Sequence, residues 1–175
     1  MKDIIERAKK IKLVVFDVDG VLTDGRLFYS DSGEEQKAFY AKDGLGMKLL
    51  LRSGVQIGII TARTSKLVKQ RMDSLDIQHL YQGRLDKLNA FNDLISKLNL
   101  SYEQTAFVGD DVVDLPVMRK VGLSITVEDA HPLVLEQAHW QTPLSGGKGA
   151  ARNVCDLVMQ AQDTFDEQLN FFSNE

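Results

Sequence analysis

Leu13-Val14-Val15-Phe16-Asp17-Val18-Asp19-Gly20-Val21-Leu22-Thr23-Asp24-Gly25 decides how this chain is read. Its first four residues are apolar without a break, the mark of a strand covered on both faces in a parallel sheet. The strand ends in Asp17 and Asp19, with a glycine immediately after them. Glycine lets the backbone turn sharply and approach a ligand. Open parallel sheets place their chemistry at the carboxyl ends of strands. A covered strand that ends in two acids therefore predicts a site built around that pair.

Working outward, the same pattern recurs. Val55 to Ile60 is a second covered strand ending in Thr61-Ala62-Arg63, and Thr105 to Val108 is a third ending in Gly109-Asp110-Asp111. Shorter strands are predicted at Gln78 to Tyr81, Leu123 to Val127 and near Trp140. Helical spacing marks 3–10, a helix opening at Asp43-Gly44, 65–75, 86–98, 115–121, 132–138 and 150–161. Alternating strands and helices predict an α/β chain with a doubly wound, Rossmann-like parallel sheet and helices on both faces. One insertion breaks the alternation. Leu27-Phe28-Tyr29 and Gln36 to Tyr40 flank Ser30-Asp31-Ser32-Gly33-Glu34 and read as a β-hairpin over about 26–41. The polar segment 163–175 reads as a flexible tail, in which Phe171 and Phe172 either fray or dock on a neighbour.

Composition bounds the function. With 175 residues, the chain suits one domain, here 1–162. A net charge of -4 without a basic block argues against a nucleic-acid partner. There is no run long enough for a membrane span, and no signal-peptide pattern at the start. A single cysteine, Cys155, excludes an internal disulfide and a cysteine metal cluster. It reads as a core residue on a helix, and the cytoplasm is the expected compartment. His79, His131 and His139 lack metal-ligand spacing and read as structural, His131 as a helix-start residue.

Three strand ends supply polar groups, and Lys87 opens the helix after a fourth. In a parallel sheet these groups converge on one edge. Clustered carboxylates repel one another and favour a cation, and all-oxygen ligands suit Mg²⁺ together with a substrate phosphate. An aspartate also serves as a nucleophile that forms an aspartyl-phosphate. A second acid two residues along an extended chain points to the same side, where it handles the leaving-group proton and then activates water. Thr61 offers a hydroxyl and its N–H to phosphate, and Lys87 offers positive charge.

Asp17-Val18-Asp19-Gly20-Val21, Thr61, Lys87 and Gly109-Asp110-Asp111 with Asp114 resemble the four motifs of the haloacid dehalogenase superfamily. A closer resemblance covers about 12–162. Asp17 to Gly25, Lys42-Asp43-Gly44, Thr61-Ala62-Arg63, Ala130-His131-Pro132 and Gly146-Gly147-Lys148-Gly149-Ala150 are similar to the 3-deoxy-D-manno-octulosonate 8-phosphate phosphatase family. The resemblance implies a Mg²⁺-dependent homotetramer acting on a sugar phosphate in lipopolysaccharide synthesis. It implies Asp17 as nucleophile, Asp19 as general acid/base, Thr61 as phosphate holder and Lys87 as charge anchor. It implies metal ligands from Asp17, the Asp19 carbonyl and Asp110. Substrate contacts are expected from Lys42, Thr61, Arg63, Arg84 and Lys148. Two positions depart from the family pattern: Lys42 stands for an arginine and Asn153 for a glutamate. Rival readings are a phosphatase for a nine-carbon, sialic-acid-like sugar phosphate and a phospho-accepting signalling module. For Asp111 and Asp114, binding metal through water, orienting Lys87 and capping a helix all remain open. The 146–149 stretch reads equally as a substrate loop or a plain turn.

Spacing adds one more expectation. Thr61 follows Asp17 by 44 positions and Lys87 follows Thr61 by 26. The hairpin, two helices and a short strand use those intervals, so no cap domain fits. Exposed hairpin edges invite pairing, which predicts assembly through hairpins and sites completed by a neighbour.

Overall fold

The structure, a computed structural model, describes residues 1–170 and 172. Eight helices and eight strands are described: α1 (Lys2–Ala8), β1 (Leu13–Phe16), β2 (Phe28–Tyr29), β3 (Glu35–Gln36), α2 (Ala41–Arg52), β4 (Gln56–Ile60), α3 (Lys66–Ser74), β5 (His79–Tyr81), α4 (Lys87–Lys97), β6 (Thr105–Gly109), α5 (Leu115–Met118), β7 (Leu123–Thr126), α6 (Pro132–Leu135), β8 (Trp140–Gln141), α7 (Ala150–Ala161) and α8 (Phe165–Asn170). Six strands form one sheet in the order β5-β4-β1-β6-β7-β8, and every pairing within it is parallel. This is the doubly wound architecture that the sequence predicts.

The covered strand is fully covered. Leu13, Val14, Val15 and Phe16 have no exposed surface. Val14 and Phe16 join the core beneath α2, α3 and α7, while Leu13 and Val15 join the core beneath α4 and α5. Alternate side chains serve opposite faces, as the two-residue period of a strand requires. Burial of this kind is worth about 1.5–3 kcal/mol for each large apolar side chain. From β1 the chain crosses to β4 on one side, and β6 flanks β1 on the other. The winding reverses there, and the crevice at that reversal is where doubly wound sheets bind ligands.

The hairpin is present but shorter than predicted. Only Phe28–Tyr29 pairs with Glu35–Gln36, in an antiparallel register, and it stands apart from the main sheet. The C-terminal segment also differs from the expectation of a loose tail. Phe165–Asn170 forms α8, Gln168 is buried, and Phe165 packs on the main core. A single apolar anchor was enough to dock a segment whose overall composition reads as polar. Phe171 lies outside the described residues, and Phe172 is exposed. No helix of the described residues is long and apolar enough to cross a membrane.

Candidate active site

The Asp17 N–H donates to the Val108 carbonyl at 3.0 Å, so Asp17 stands one step past the end of β1 while still tied to β6. Asp17 is buried, and its Oδ2 lies 2.7 Å from Lys87 Nζ. The same ammonium lies 2.6 Å from Asp114 Oδ1. Lys87 is the first residue of α4, with Asp86 as N-cap. A cation at a helix N-terminus faces the positive end of the dipole, and burial adds a desolvation cost. The two carboxylates offset both. Burial pulls the Lys87 proton affinity down, but attraction to Asp17 and Asp114 outweighs it and holds the ammonium above its ordinary value.

Asp114 has both oxygens engaged. Oδ1 meets Lys87, and Oδ2 accepts the N–H groups of Asp110 at 3.1 Å and Asp111 at 3.3 Å. Of the roles left open, Asp114 therefore takes that of orienting Lys87. Asp111 is exposed, and its carboxylate accepts the Val112 N–H at 2.7 Å, capping a 3-10 turn over Val112–Asp114.

One carboxylate oxygen each from Asp17, Asp110 and Asp114 falls within 4.8 Å of the others. Asp17 Oδ1 and Asp110 Oδ1 are buried with no hydrogen-bond partner. A buried unpaired carboxylate oxygen is costly, and a hard divalent cation satisfies such a pair. Since the oxygens of Asp114 are already engaged, Asp17 and Asp110 are the pair that fits a cation. Electrostatics agree. Burial, opposed by Lys87 and assisted by Asp114, pushes the Asp17 carboxyl up to about 6. Burial together with repulsion from Asp17 and Asp114 pushes Asp110 up to about 8. Gly20 lets the chain approach this closely. Its φ is +91°, and a Cβ there would stand 2.0 Å from Asp110 Oδ2.

Asp19 faces a different set of groups. It pairs with Lys37, whose side chain is only 2 % exposed, and lies 3.7 Å from Arg63 Nε. Glu35 joins both, at 3.6 Å from Lys37 Nζ and 2.8 Å from Arg63 Nη2, and Tyr29 accepts from Arg63 at 2.6 Å. The hairpin segment of this same chain therefore reaches Asp19. Sequence reasoning missed Lys37 and Glu35. Their i, i+2 spacing, which places both on one face of an extended strand, was the available signal.

Thr61 is buried at the end of β4, but its N–H is not offered to a ligand. That N–H donates to the Tyr81 carbonyl at 3.0 Å as the sheet continues. The hydroxyl is what Thr61 offers, which corrects the expectation that both groups serve phosphate. Arg84 is exposed and held beside it, its N–H donating to the Thr61 carbonyl at 2.9 Å. Lys42 is exposed on the first turn of α2, and Lys148 is exposed on the loop before α7. That loop is tied to the Asp19-Gly20 turn, with the Gly147 N–H donating to the Val21 carbonyl at 3.0 Å. The structure thus brings together Asp17, Asp19, Thr61, Lys87, Arg63 and Asp110. It leaves Lys42, Arg84 and Lys148 as exposed cations on surrounding segments. His131 caps α6 by accepting the Leu133 N–H at 3.2 Å, and Cys155 is fully buried.

Comparison with known proteins points the same way. A family model for haloacid dehalogenase-like hydrolases matches residues 77–152. The chain is 50% identical to the 3-deoxy-D-manno-octulosonate 8-phosphate phosphatase of Escherichia coli K12, over 94% of this chain and 88% of that one. A crystal structure of the Yersinia pestis phosphatase superposes with a TM-score of 0.93 at 49% identity, covering 94% of this chain and 89% of that one. The Moraxella catarrhalis phosphatase, crystallised with a magnesium ion, a phosphate ion and KDO, gives a TM-score of 0.96 at 41% identity over 98% of this chain and 99% of that one. A parallel sheet that converges Asp17, Thr61, Lys87 and Asp110, in a chain half identical to such enzymes over nearly its whole length, belongs to the 3-deoxy-D-manno-octulosonate 8-phosphate phosphatase family of haloacid dehalogenase-like hydrolases.

Proposed function

We propose that this chain hydrolyses 3-deoxy-D-manno-octulosonate 8-phosphate to the free sugar acid and inorganic phosphate, with Mg²⁺, as a step of lipopolysaccharide synthesis in the cytoplasm. The observation that carries this is the buried Asp17, with one oxygen on Lys87 and the other unpartnered beside Asp110, in a chain of this family.

The Asp17 carboxylate attacks phosphorus through one oxygen, and the bond from phosphorus to the sugar oxygen breaks. Asp19 gives its proton to that leaving oxygen, which departs as an alcohol. Asp19 then takes a proton from water, and the water oxygen attacks the phosphorus of the aspartyl-phosphate. The bond to Asp17 breaks and inorganic phosphate leaves. Lys87 holds Asp17 in line and offsets phosphoryl charge, and the Thr61 hydroxyl donates to a phosphoryl oxygen. Asp17, Asp110 and the Asp19 carbonyl would hold Mg²⁺, which would supply charge neutralisation and orientation of the phosphoryl group. Lys37 and Arg63 bracket Asp19; with Arg63 held by Glu35 and Tyr29, Arg84, Lys148 and Lys42 are the cations left to the sugar carboxylate and phosphate.

The enzyme is proposed to be a homotetramer joined through hairpins, without a nucleic-acid partner. Leu27, Phe28 and Tyr29 support the first point, being apolar and substantially exposed. The net charge of -4 supports the second. The test is phosphate release from a panel of sugar phosphates, with and without Mg²⁺, for the native chain and for Asp17→Asn. Mg²⁺-dependent release that is strongest on the eight-carbon acid and absent in Asp17→Asn is expected. Stronger release from a nine-carbon acidic sugar phosphate would transfer the assignment to that substrate. A long-lived phospho-aspartate without turnover would favour a signalling module.

A further inference from the structure

We propose that Asp43 is a positioning residue that clamps the 145–149 loop onto the Gly20-Asp24 turn, and through it sets Lys148 on the rim of the site. The proposal rests on the phosphatase reading above. α7 begins at Ala150 behind an N-cap, Gly149, that has a φ of 110° and no side chain. The first amides of a helix have no partner within it and ordinarily rely on the N-cap side chain. Here the cap comes from another helix. Asp43 Oδ1 accepts the Arg152 N–H at 2.8 Å, across 109 residues of sequence. Asp43 is only 3% exposed. Its charged neighbours are Arg152 on α7 and Arg71 on α3.

The far side of the loop meets the catalytic turn. The Gly147 N–H donates to the Val21 carbonyl at 3.0 Å, and a Cβ on Gly146 would stand 1.7 Å from the Gly20 carbonyl oxygen. Nothing larger than glycine fits between loop and turn. The Gly146 N–H is held by Asp129 Oδ1 at 3.0 Å. Asp43 therefore holds the first turn of α7 through Arg152, and the short stretch leading into that turn is held at Gly147 to Val21, two residues past Asp19. Lys148 lies between anchored Gly147 and the held first turn of α7, and is exposed. Releasing the Asp43 end frees the position of that cation and leaves Asp17, Lys87 and Asp110 untouched.

The test uses the full chain with Asp43→Ala, Asp43→Asn, Lys148→Ala and the double variant Asp43→Ala/Lys148→Ala. Amide exchange at 146–149 is read alongside KM and kcat on 3-deoxy-D-manno-octulosonate 8-phosphate. Asp43→Ala should speed exchange in the loop about fivefold, the ratio expected for one lost helix cap, and should raise KM with a smaller change in kcat. Asp43→Asn keeps an acceptor oxygen in place and should restore most of both. The double variant should raise KM no further than the larger single effect. If Asp43→Ala does not fold, Asp43→Ser is read in its place. Unchanged loop exchange and KM, or a double variant whose effects multiply, overturns the proposal. A native chain that releases no phosphate from any sugar phosphate overturns the phosphatase reading instead, while the exchange measurement still decides the clamp.

Discussion

Replacing Lys87 with methionine removes the one cation that two buried carboxylates share. Methionine keeps an unbranched apolar stem one atom shorter than lysine, so the volume of the site changes little. The charge pattern changes sharply, because Asp17 and Asp114 lose bonds of 2.7 and 2.6 Å to an ammonium that is 1% exposed. Removing one partner of a buried pair costs about 3–5 kcal/mol, because an uncompensated charge stays behind. That is a large share of the roughly 5–15 kcal/mol that holds a domain together. At about 2–4 °C per kcal/mol for a chain of this size, the melting temperature should fall by about 6–20 °C. The loss should depend on pH in a definite direction. Burial already holds Asp17 up at about 6 with Lys87 in place, above its ordinary value, and removing the cation raises it further. A folded-state carboxyl that sits above its unfolded value favours folding while protonated and loses that benefit as pH rises through its folded pKa. The gap between Lys87→Met and the native chain should therefore be widest near pH 8 and narrow toward about pH 5. Urea unfolding followed by circular dichroism, in chelator, measures it at both values. Adding Asp17→Asn to Lys87→Met should return part of the lost stability. A loss under about 1 kcal/mol at pH 8, or a gap that ignores pH, would show that Lys87 is not the charge on which this arrangement depends.

Metal removal gives a second reading of the same acids. Metal-free Asp110 titrates near 8 and Asp17 near 6, both above their ordinary value, so the metal-free chain should lose stability as pH rises from about 4 to about 8. Mg²⁺ binds the ionised pair, and its increment to the melting temperature should therefore be larger near pH 8 than near pH 5; an increment that shrinks with rising pH refutes the ligand pair. Gly20→Ala drives a Cβ to 2.0 Å from Asp110 Oδ2 at a φ of +91°. It should cost about 1–3 kcal/mol and abolish phosphate release, and a fully active Gly20→Ala enzyme would mean that the turn and Asp110 are not held together. Sedimentation at assay concentration should show a tetramer that Phe28→Lys breaks, whereas a fully active monomer would remove the neighbour from the site.

The residues that carry charge to the site were legible because each sits at the end of an apolar run. A four-residue run such as Leu13–Phe16 has to be covered on both faces, and the residue after it has to emerge at a sheet edge. That rule places Asp17, Thr61 and Asp110 together without any knowledge of contacts. The same local logic identified the Cys155 helix face and the His131 helix start. It misjudged 165–170, where one docked aromatic, Phe165, outweighs a polar composition.

What the sequence determined by itself was the order of strands and helices and the identity of the acids, because periodicity and strand ends are local properties of the chain. Tertiary structure alone decided how those groups divide their work. Asp114 turned to Lys87 because two amides and an ammonium converge there, leaving Asp17 and Asp110 with the unpartnered oxygens. The Thr61 N–H was consumed by a neighbouring strand. Lys37 reached Asp19, with Glu35 holding Lys37 and Arg63 beside it, because a short hairpin folds back there, and Asp43 capped a helix more than a hundred residues away. Each depends on which partner lies nearest in space, and a buried polar atom takes whichever partner packing brings within bonding distance.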